Sequence, residues 1–435
     1  MSLHVFSDQL RDEPSRRRFL ERCAQMAFGL SVLPYFSRLA EAAEKQTESA
    51  APNAGLPGFG RAKRVIFIEL AGGMSHIDTF DPKQGAGKGP ASALSTKGGF
   101  QVTSFLPETA KVADRIAVVR SMTAKVGVHA SAAYLMRTGF EQRGAVQHPT
   151  LGAWAQHHLG KSHATLPSSV AINRSSNHGN GWFPASHAPL PILSPGEPLP
   201  DTQALGTTAA QEKRASLLSQ LDATFGAKVS DENVRSYNDF YATTFQLMKS
   251  ADLKAFDIGA ESAATRERYG RSKFGQGCLL ARRLVEHGVR FVEVKSDGWD
   301  MHAALEDRME DRGGEFDRVF AALIQDLDAK GMLDSTLVAV TTEFGRKPSF
   351  DGGGRGHHPL CFSTVLAGGG VKRGYVHGAS DAKGYAPDAD PVSVGSLHAT
   401  IAHAAGLPVE QEIITPAGRP MTIGNKAKPV TKLFA

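Results

Sequence analysis

Residues Arg64-Val65-Ile66-Phe67-Ile68-Glu69-Leu70 form a short, almost unbroken apolar run that Ala71-Gly72-Gly73 cuts off at once. A strand wetted on one face alternates polar and apolar side chains. A continuous run is what a strand buried on both faces shows, and such strands belong to parallel sheets covered by helices. The rest of the chain agrees. Strands are predicted at Ile116–Arg120, Val289–Val294, Ser335–Thr342 and Phe362–Ala367, separated by helical stretches. The clearest helix runs from about Gly314 to Lys330, with Phe316, Val319, Phe320, Leu323 and Leu327 on one stripe and Gly331 as its stop. Residues 129–138 read as a helix closed by Gly139, and a last helix is expected near 393–405. Strands alternating with helices predict an α/β fold around a largely parallel sheet.

Before this region lie two segments of different character. Ser15-Arg16-Arg17-Arg18-Phe19-Leu20 carries a paired arginine followed by Phe-Leu. Cys23–Leu33 is mostly apolar but shorter than the roughly 20 residues a membrane helix needs. Ala40-Glu41-Ala42 is a small-x-small cleavage site. That order predicts a twin-arginine signal over residues 1–43, recognised by the twin-arginine translocase, and a periplasmic or secreted product. Residues 44–60, rich in Ala, Gly, Pro and Ser, read as a linker. Residues 61–435 then read as one domain, with a loop-rich insertion at about 160–235 that holds one polar helix near 209–223. No later segment is apolar for long enough to span a bilayer. The net charge of +5 is spread without a basic stripe, which argues against nucleic-acid binding. Of three cysteines, Cys23 lies in the signal. Cys278 and Cys361 are far apart, read more readily as buried thiols than as a disulfide.

Ligands of open parallel sheets sit at the carboxyl ends of the strands. His and carboxylate side chains recur there. His76 and Asp78 follow the first strand, and Gly127-Val128-His129 follows the second. Asp297-Gly298-Trp299-Asp300-Met301-His302, Glu343-Phe344-Gly345-Arg346 and Gly352-Gly353-Gly354-Arg355-Gly356-His357-His358 follow later ones. Imidazole with carboxylate is the ligand chemistry of Zn, Mn or Fe, and such centres can clamp a phosphate or sulfate ester. Each residue also has a plainer reading. His76 or His129 can cap or pack, Asp78 can make a turn, and Glu343 can form a strand-end ion pair. The Asp300-x-His302 and His357-His358 pairs are the hardest to explain that way.

The run Gly72-Gly73-Met74-Ser75-His76-Ile77-Asp78-Thr79-Phe80-Asp81-Pro82-Lys83 resembles the opening of the bacterial exported domain-of-unknown-function family 1501. Gly298–His302, Thr342–Arg346 and Gly356–His358 also resemble its pattern. That family in turn is similar to the alkaline phosphatase and sulfatase superfamily. Leu333–Val338, Ser396–Ile401 and Gly406-Leu407-Pro408 carry this second likeness. The resemblance implies an alkaline-phosphatase-like α/β sandwich with a mostly parallel central sheet flanked by helices. It also implies a divalent metal (Zn, Mn, Fe or Ca) and a sulfate or phosphate ester substrate, small or polysaccharide. Three departures stand out. Glu69 and Asp78 flank the place where the superfamily has an aspartate. Glu343-Phe344 replaces its Asp-His pair. His129 stands at the nucleophile's position, with Ser131 two residues on.

The expectation is therefore an exported metal-dependent hydrolase. Asp300, His302, His357, His358, His76 and Asp78 would be ligands, and His129, Glu343 and Arg346 catalytic residues, Arg346 binding the oxyanion. The alternative is an exported binding or assembly protein that kept the fold and lost the nucleophile. A redox or copper-carrying role lacks Cys and Met at useful spacing.

Overall fold

The computed structural model describes residues 54–85, 88–144, 146–174, 179–199 and 250–435, with positions 213, 214, 216, 217, 220, 244 and 246–249 between them. The expected signal, most of the linker and much of the expected insertion lie outside these residues. So does most of the helix expected near 209–223, although its described positions are helical.

Nine strands build one sheet. They are β1 (Arg64–Ala71), β2 (Ile116–Thr123), β3 (Ser169–Ile172), β4 (Leu190–Ile192), β5 (Phe291–Asp297), β6 (Thr336–Thr341), β7 (Phe362–Ala367), β8 (Tyr375–His377) and β9 (Val392–Ser393). The order is β8-β2-β7-β6-β1-β5-β3-β4, with β9 also paired to β2. Every pairing is parallel except those of β7, which runs antiparallel to both β2 and β6. The α/β expectation with a mostly parallel sheet is met.

Both faces of the sheet are covered, as the apolar runs require. Ile66, Ile68 and Leu70 point into one core with α4 (Lys273–Glu286) and α5 (Gly314–Ala329). Val65 and Phe67 point into the other, with α2 (His129–Thr138), α3 (Leu151–Leu159) and α6 (Val394–Ala404). Phe316, Val319, Phe320, Leu323 and Leu327 are all buried, so the stripe read from the sequence is the packed face of α5. A short helix α1 (Pro107–Lys111) is fixed by Asp317 of α5, whose carboxylate accepts from the Glu108 and Thr109 amides at 2.8 and 2.6 Å.

Two readings need correction. Residues 169–172 and 190–192, expected as loop, are the last two strands at one end of the sheet, 190–192 its edge. Four- and three-residue strands are too short to show a period, and Pro191 masks the second; proline is tolerated there because an edge strand can spare the amide. The chain also does not end with α6: a two-stranded ribbon, Ile413–Ile414 with Pro420–Met421, follows it. Cys278 and Cys361 are buried free thiols, and burial pushes both thiol pKa values up. No helix among the described residues is long and apolar enough to cross a membrane.

The reversed strand β7 matters for the site. The chain leaves β6 at the carboxyl end of the parallel strands and enters β7 at that same end. The whole connection, 342–361, therefore stays beside the ends of β1 and β5.

Candidate metal centre

Four loops converge at these ends. After β1 the chain turns through Gly72, with φ of 125°. A Cβ there would fall 2.3 Å from the Asp300 amide nitrogen, so only glycine lets the loops after β1 and β5 meet. Thr342, just past β6, ties the β1 loop down: its hydroxyl donates to the Leu70 carbonyl and accepts from the Met74 amide, both at 2.8 Å. Glu343 is 2% exposed. One of its oxygens accepts from the Gly72 amide at 2.8 Å.

The same oxygen lies 2.8 Å from Nδ1 of His129, the first residue of α2. A carboxylate oxygen already accepting from an amide can only accept again, so Nδ1 carries the proton and Nε2 is bare. That Nε2 is buried and finds no hydrogen-bond partner among the described residues. It sits 3.3 Å from Oδ2 of Asp300. A bare nitrogen facing a carboxylate oxygen at that range is repulsive unless a cation or a proton lies between them.

His357 repeats the arrangement. Its Nδ1 donates to the Gly127 carbonyl at 2.9 Å, leaving Nε2 bare and 3.4 Å from Oδ1 of Asp300. His302 completes the group, with Nε2 at 3.0 Å from that oxygen and 3.0 Å from Nε2 of His357. His129, Asp300 and His357 bring ligand atoms within 4.8 Å of one another. Donor atoms around a tetrahedral ion with bonds of about 2.0–2.1 Å lie roughly 3.3 Å apart. The residues present thus fit a divalent cation in spacing, in donor type and in their orphaned nitrogen. Glu343 and the Gly127 carbonyl orient the two imidazoles, as outer partners of metal-ligating histidines do.

Burial opposes ionisation of Asp300, yet the Arg346 guanidinium that donates to it, with His129 and His302 alongside, holds its carboxyl at about 2. Burial lowers the His302 pKa despite the pull of Asp300, so its ring is neutral and able to ligate at neutral pH. Phe344 lies under the site, its ring 4.9 Å from that of His129 and 4.7 Å from that of His357. Arg308 fixes the Asp300 loop from below by donating to the Asp300 and Gly298 carbonyls at 2.8 and 3.1 Å. Neither was given a role at the site from the sequence. Phe344 could have been, as the residue that follows Glu343 at a strand end; Arg308 gave no signal.

Four expected assignments change. Arg346 is fully buried, and each guanidinium nitrogen is engaged. Nε donates to the Gly73 carbonyl at 2.8 Å, Nη1 to the Arg355 carbonyl at 3.0 Å and to His302 Nε2 at 3.3 Å, and Nη2 to the Gly72 carbonyl and Asp300. It has no donor left for a substrate oxyanion and acts as the brace of the loops. Asp78 forms a two-point ion pair with Arg355, at 2.7 and 3.1 Å, and both side chains are 0% exposed. His76 is fully buried against the Gly384 carbonyl at 3.0 Å. His358 points away from His357 and reaches the Tyr385 carbonyl at 2.6 Å. Those three anchor loops and stand outside the cluster.

Among solved structures the chain is similar to the sulfatase PsFucS1 from Pseudoalteromonas sp., at 13% identity over 97% of this chain and 76% of that one, with a TM-score of 0.43. It is similar to the lipoteichoic acid synthase LtaP from Listeria monocytogenes, at 8% identity over 89% and 78%, TM-score 0.39. It is also similar to the phosphonate monoester hydrolase SpPMH from Silicibacter pomeroyi, at 11% identity over 79% and 73%, TM-score 0.38. No curated protein matches the sequence. Residues 62–434, nearly all of the described chain, match the family described as "Protein of unknown function (DUF1501)", and the chain belongs to that family.

Proposed function

We propose that this chain is an exported, metal-dependent hydrolase of sulfate or phosphate esters, converting ester and water to an alcohol and the inorganic anion. One observation carries the reading: the buried, unpartnered Nε2 of His129 faces Asp300 beside the bare Nε2 of His357. Three imidazoles and one carboxylate favour zinc, manganese or iron over calcium, which prefers all-oxygen shells. When bound, such an ion supplies positive charge to an ester oxygen and lowers the pKa of water. His129, Asp300, His302 and His357 would hold it. Glu343 would keep the His129 proton on Nδ1, and Arg346 would hold Asp300 in place. The paired arginine, apolar run and Ala40-Glu41-Ala42 of the N-terminal segment support export.

A non-catalytic binding protein is the second reading. It is favoured by the exposed position of Ser131, the hydroxyl nearest in sequence to His129, and by the saturation of Arg346. Elemental analysis of chelator-free protein beside His357→Ala, followed by an ester screen, separates the two. About one ion per chain, lost in the variant, with metal-dependent release of sulfate or phosphate is the expected result. Bound metal without turnover of any ester leaves the binding protein. No metal in either protein overturns the metal-dependent hydrolase and leaves the binding protein.

A further inference from the structure

Nine large apolar side chains stand exposed among the described residues, and three of them lie on the loops that hold the ligand cluster. Val128, 66% exposed, immediately precedes His129. Leu360, 50% exposed, follows Pro359, whose ring would lie 3.4 Å from a Cβ on Gly127. The two therefore stand on adjoining loops, and the Gly127 carbonyl of one accepts the His357 ring proton of the other. Phe350, 49% exposed, stands on the same β6–β7 connection, next to the stretch that meets His302. It leads into the turn Asp351–Gly354, which closes on itself at 3.0 and 3.1 Å. Gly354 rests on the His302 backbone so closely that a Cβ would come within 2.2 Å of it. The Arg355 guanidinium lies 5.5 Å from the centre of the Phe350 ring. Lys125 and Lys347, both exposed, sit on the same two loops.

Exposed apolar side chains scattered singly need no explanation, but a set on the very loops that carry a cluster of unpartnered polar atoms marks what that cluster receives. We infer that the site takes amphiphilic esters: an anionic sulfate or phosphate head at the ligand cluster and an aryl or alkyl alcohol part seated between Val128, Leu360 and Phe350. This rests on the hydrolase reading and names its substrate class. Cleavage would break the bond between sulfur or phosphorus and the bridging oxygen, with water supplying the new oxygen to the anion and a proton to the departing alcohol.

The test uses full-length mature protein loaded with the metal it retains. Octyl and naphthyl sulfates and phosphates are compared with glucose 6-sulfate and glucose 6-phosphate. The apolar esters should be turned over with kcat/KM at least tenfold higher. Leu360→Ser and Phe350→Ser should each narrow that preference by about tenfold, mainly through KM, since each removes one buried apolar contact. Leu159→Ser, at an exposed leucine away from the site, should leave it unchanged. Equal or reversed preference overturns the inference and spares the hydrolase reading. If no ester is cleaved, the hydrolase reading falls, and binding decides the rim separately. Octylphosphonate binding at least tenfold tighter than methylphosphonate, with the difference lost in Leu360→Ser, supports the apolar seat. Equal binding of the two phosphonates overturns it.

Discussion

Asp78 and Asp300 each meet an arginine, and the two pairs could hardly differ more. Asp78 and Arg355 are sealed, 0% exposed, and the arginine's remaining donors are taken up by the Lys347 and Pro348 carbonyls. Asp300 is 45% exposed while its partner Arg346 is 1% exposed. Its carboxylate also faces three imidazole nitrogens, two of them with their protons committed elsewhere. The first pair is a closed account of donors and acceptors. The second leaves lone pairs pointing at a common space. Saturation identifies the brace, and surplus of acceptors identifies the site.

The largest expected effect would come from opening the sealed pair. Arg355→Met strands the Asp78 carboxylate and should cost about 3–5 kcal/mol of stability in urea unfolding. Adding Asp78→Leu should recover part of that loss, because no charge is then left buried. If Arg355→Met is as stable as the parent, the contrast drawn here is wrong. Next comes Asp300→Ala. Metal affinity should fall more than a hundredfold, about 2.7 kcal/mol or more. Competition with a chromogenic chelator reads this directly. A variant that keeps its metal would place the ion elsewhere.

Glu343→Gln tests the outer shell. Loss of the negative acceptor for Nδ1 should weaken metal binding about 10–100-fold without removing it. An unchanged affinity would show that His129 is not held as a ligand. The smallest effect concerns His76, in the sealed region. Burial depresses its pKa to about 4, so the folded state keeps it neutral while the unfolded chain protonates near 6.5. Stability is therefore lost as pH falls from 6.5 towards 4. His398, equally buried, shifts the same way and adds to the slope. In His76→Gln the difference in stability between pH 7 and pH 4.5 should shrink by on the order of 1–2 kcal/mol. An unaltered pH slope would mean that the imidazole ionises freely in the fold.

Much of the fold was legible because burial writes itself into composition. β1, β6, β7 and α5 are continuous apolar runs or clean stripes, and their limits were read to within a residue or two. β3 and β4 were not, since such short strands carry too few residues for a period and Pro191 argues against a strand when its place at the sheet's edge is unknown. The direction of β7 was equally invisible: an apolar run reads the same both ways. At the candidate site, Asp300, His302, His357 and His129, which the structure brings together, were singled out from residue type and place after a strand. Distinguishing them from His76, Asp78 and His358 required knowing which donors were already spent. Arg346 illustrates the limit best. Its guanidinium suits an oxyanion, and only the three loop carbonyls and the carboxylate around it show that it is occupied.

The ribbon pairing Gly345–Arg346 with His357–His358 sets two identical side chains on opposite sides of one short strand. One serves the ligand cluster and the other latches the Tyr385 turn. The doublet therefore works as a reading frame. Gain of a single residue between Gly356 and the strand would turn both side chains to the opposite side, aiming the latch at the cluster and the ligand at the turn. Length in this loop is tolerable on the far side of Arg355 but not next to the doublet, so an engineer grafting sequence here, or a lineage drifting through it, has one place where counting matters more than chemistry.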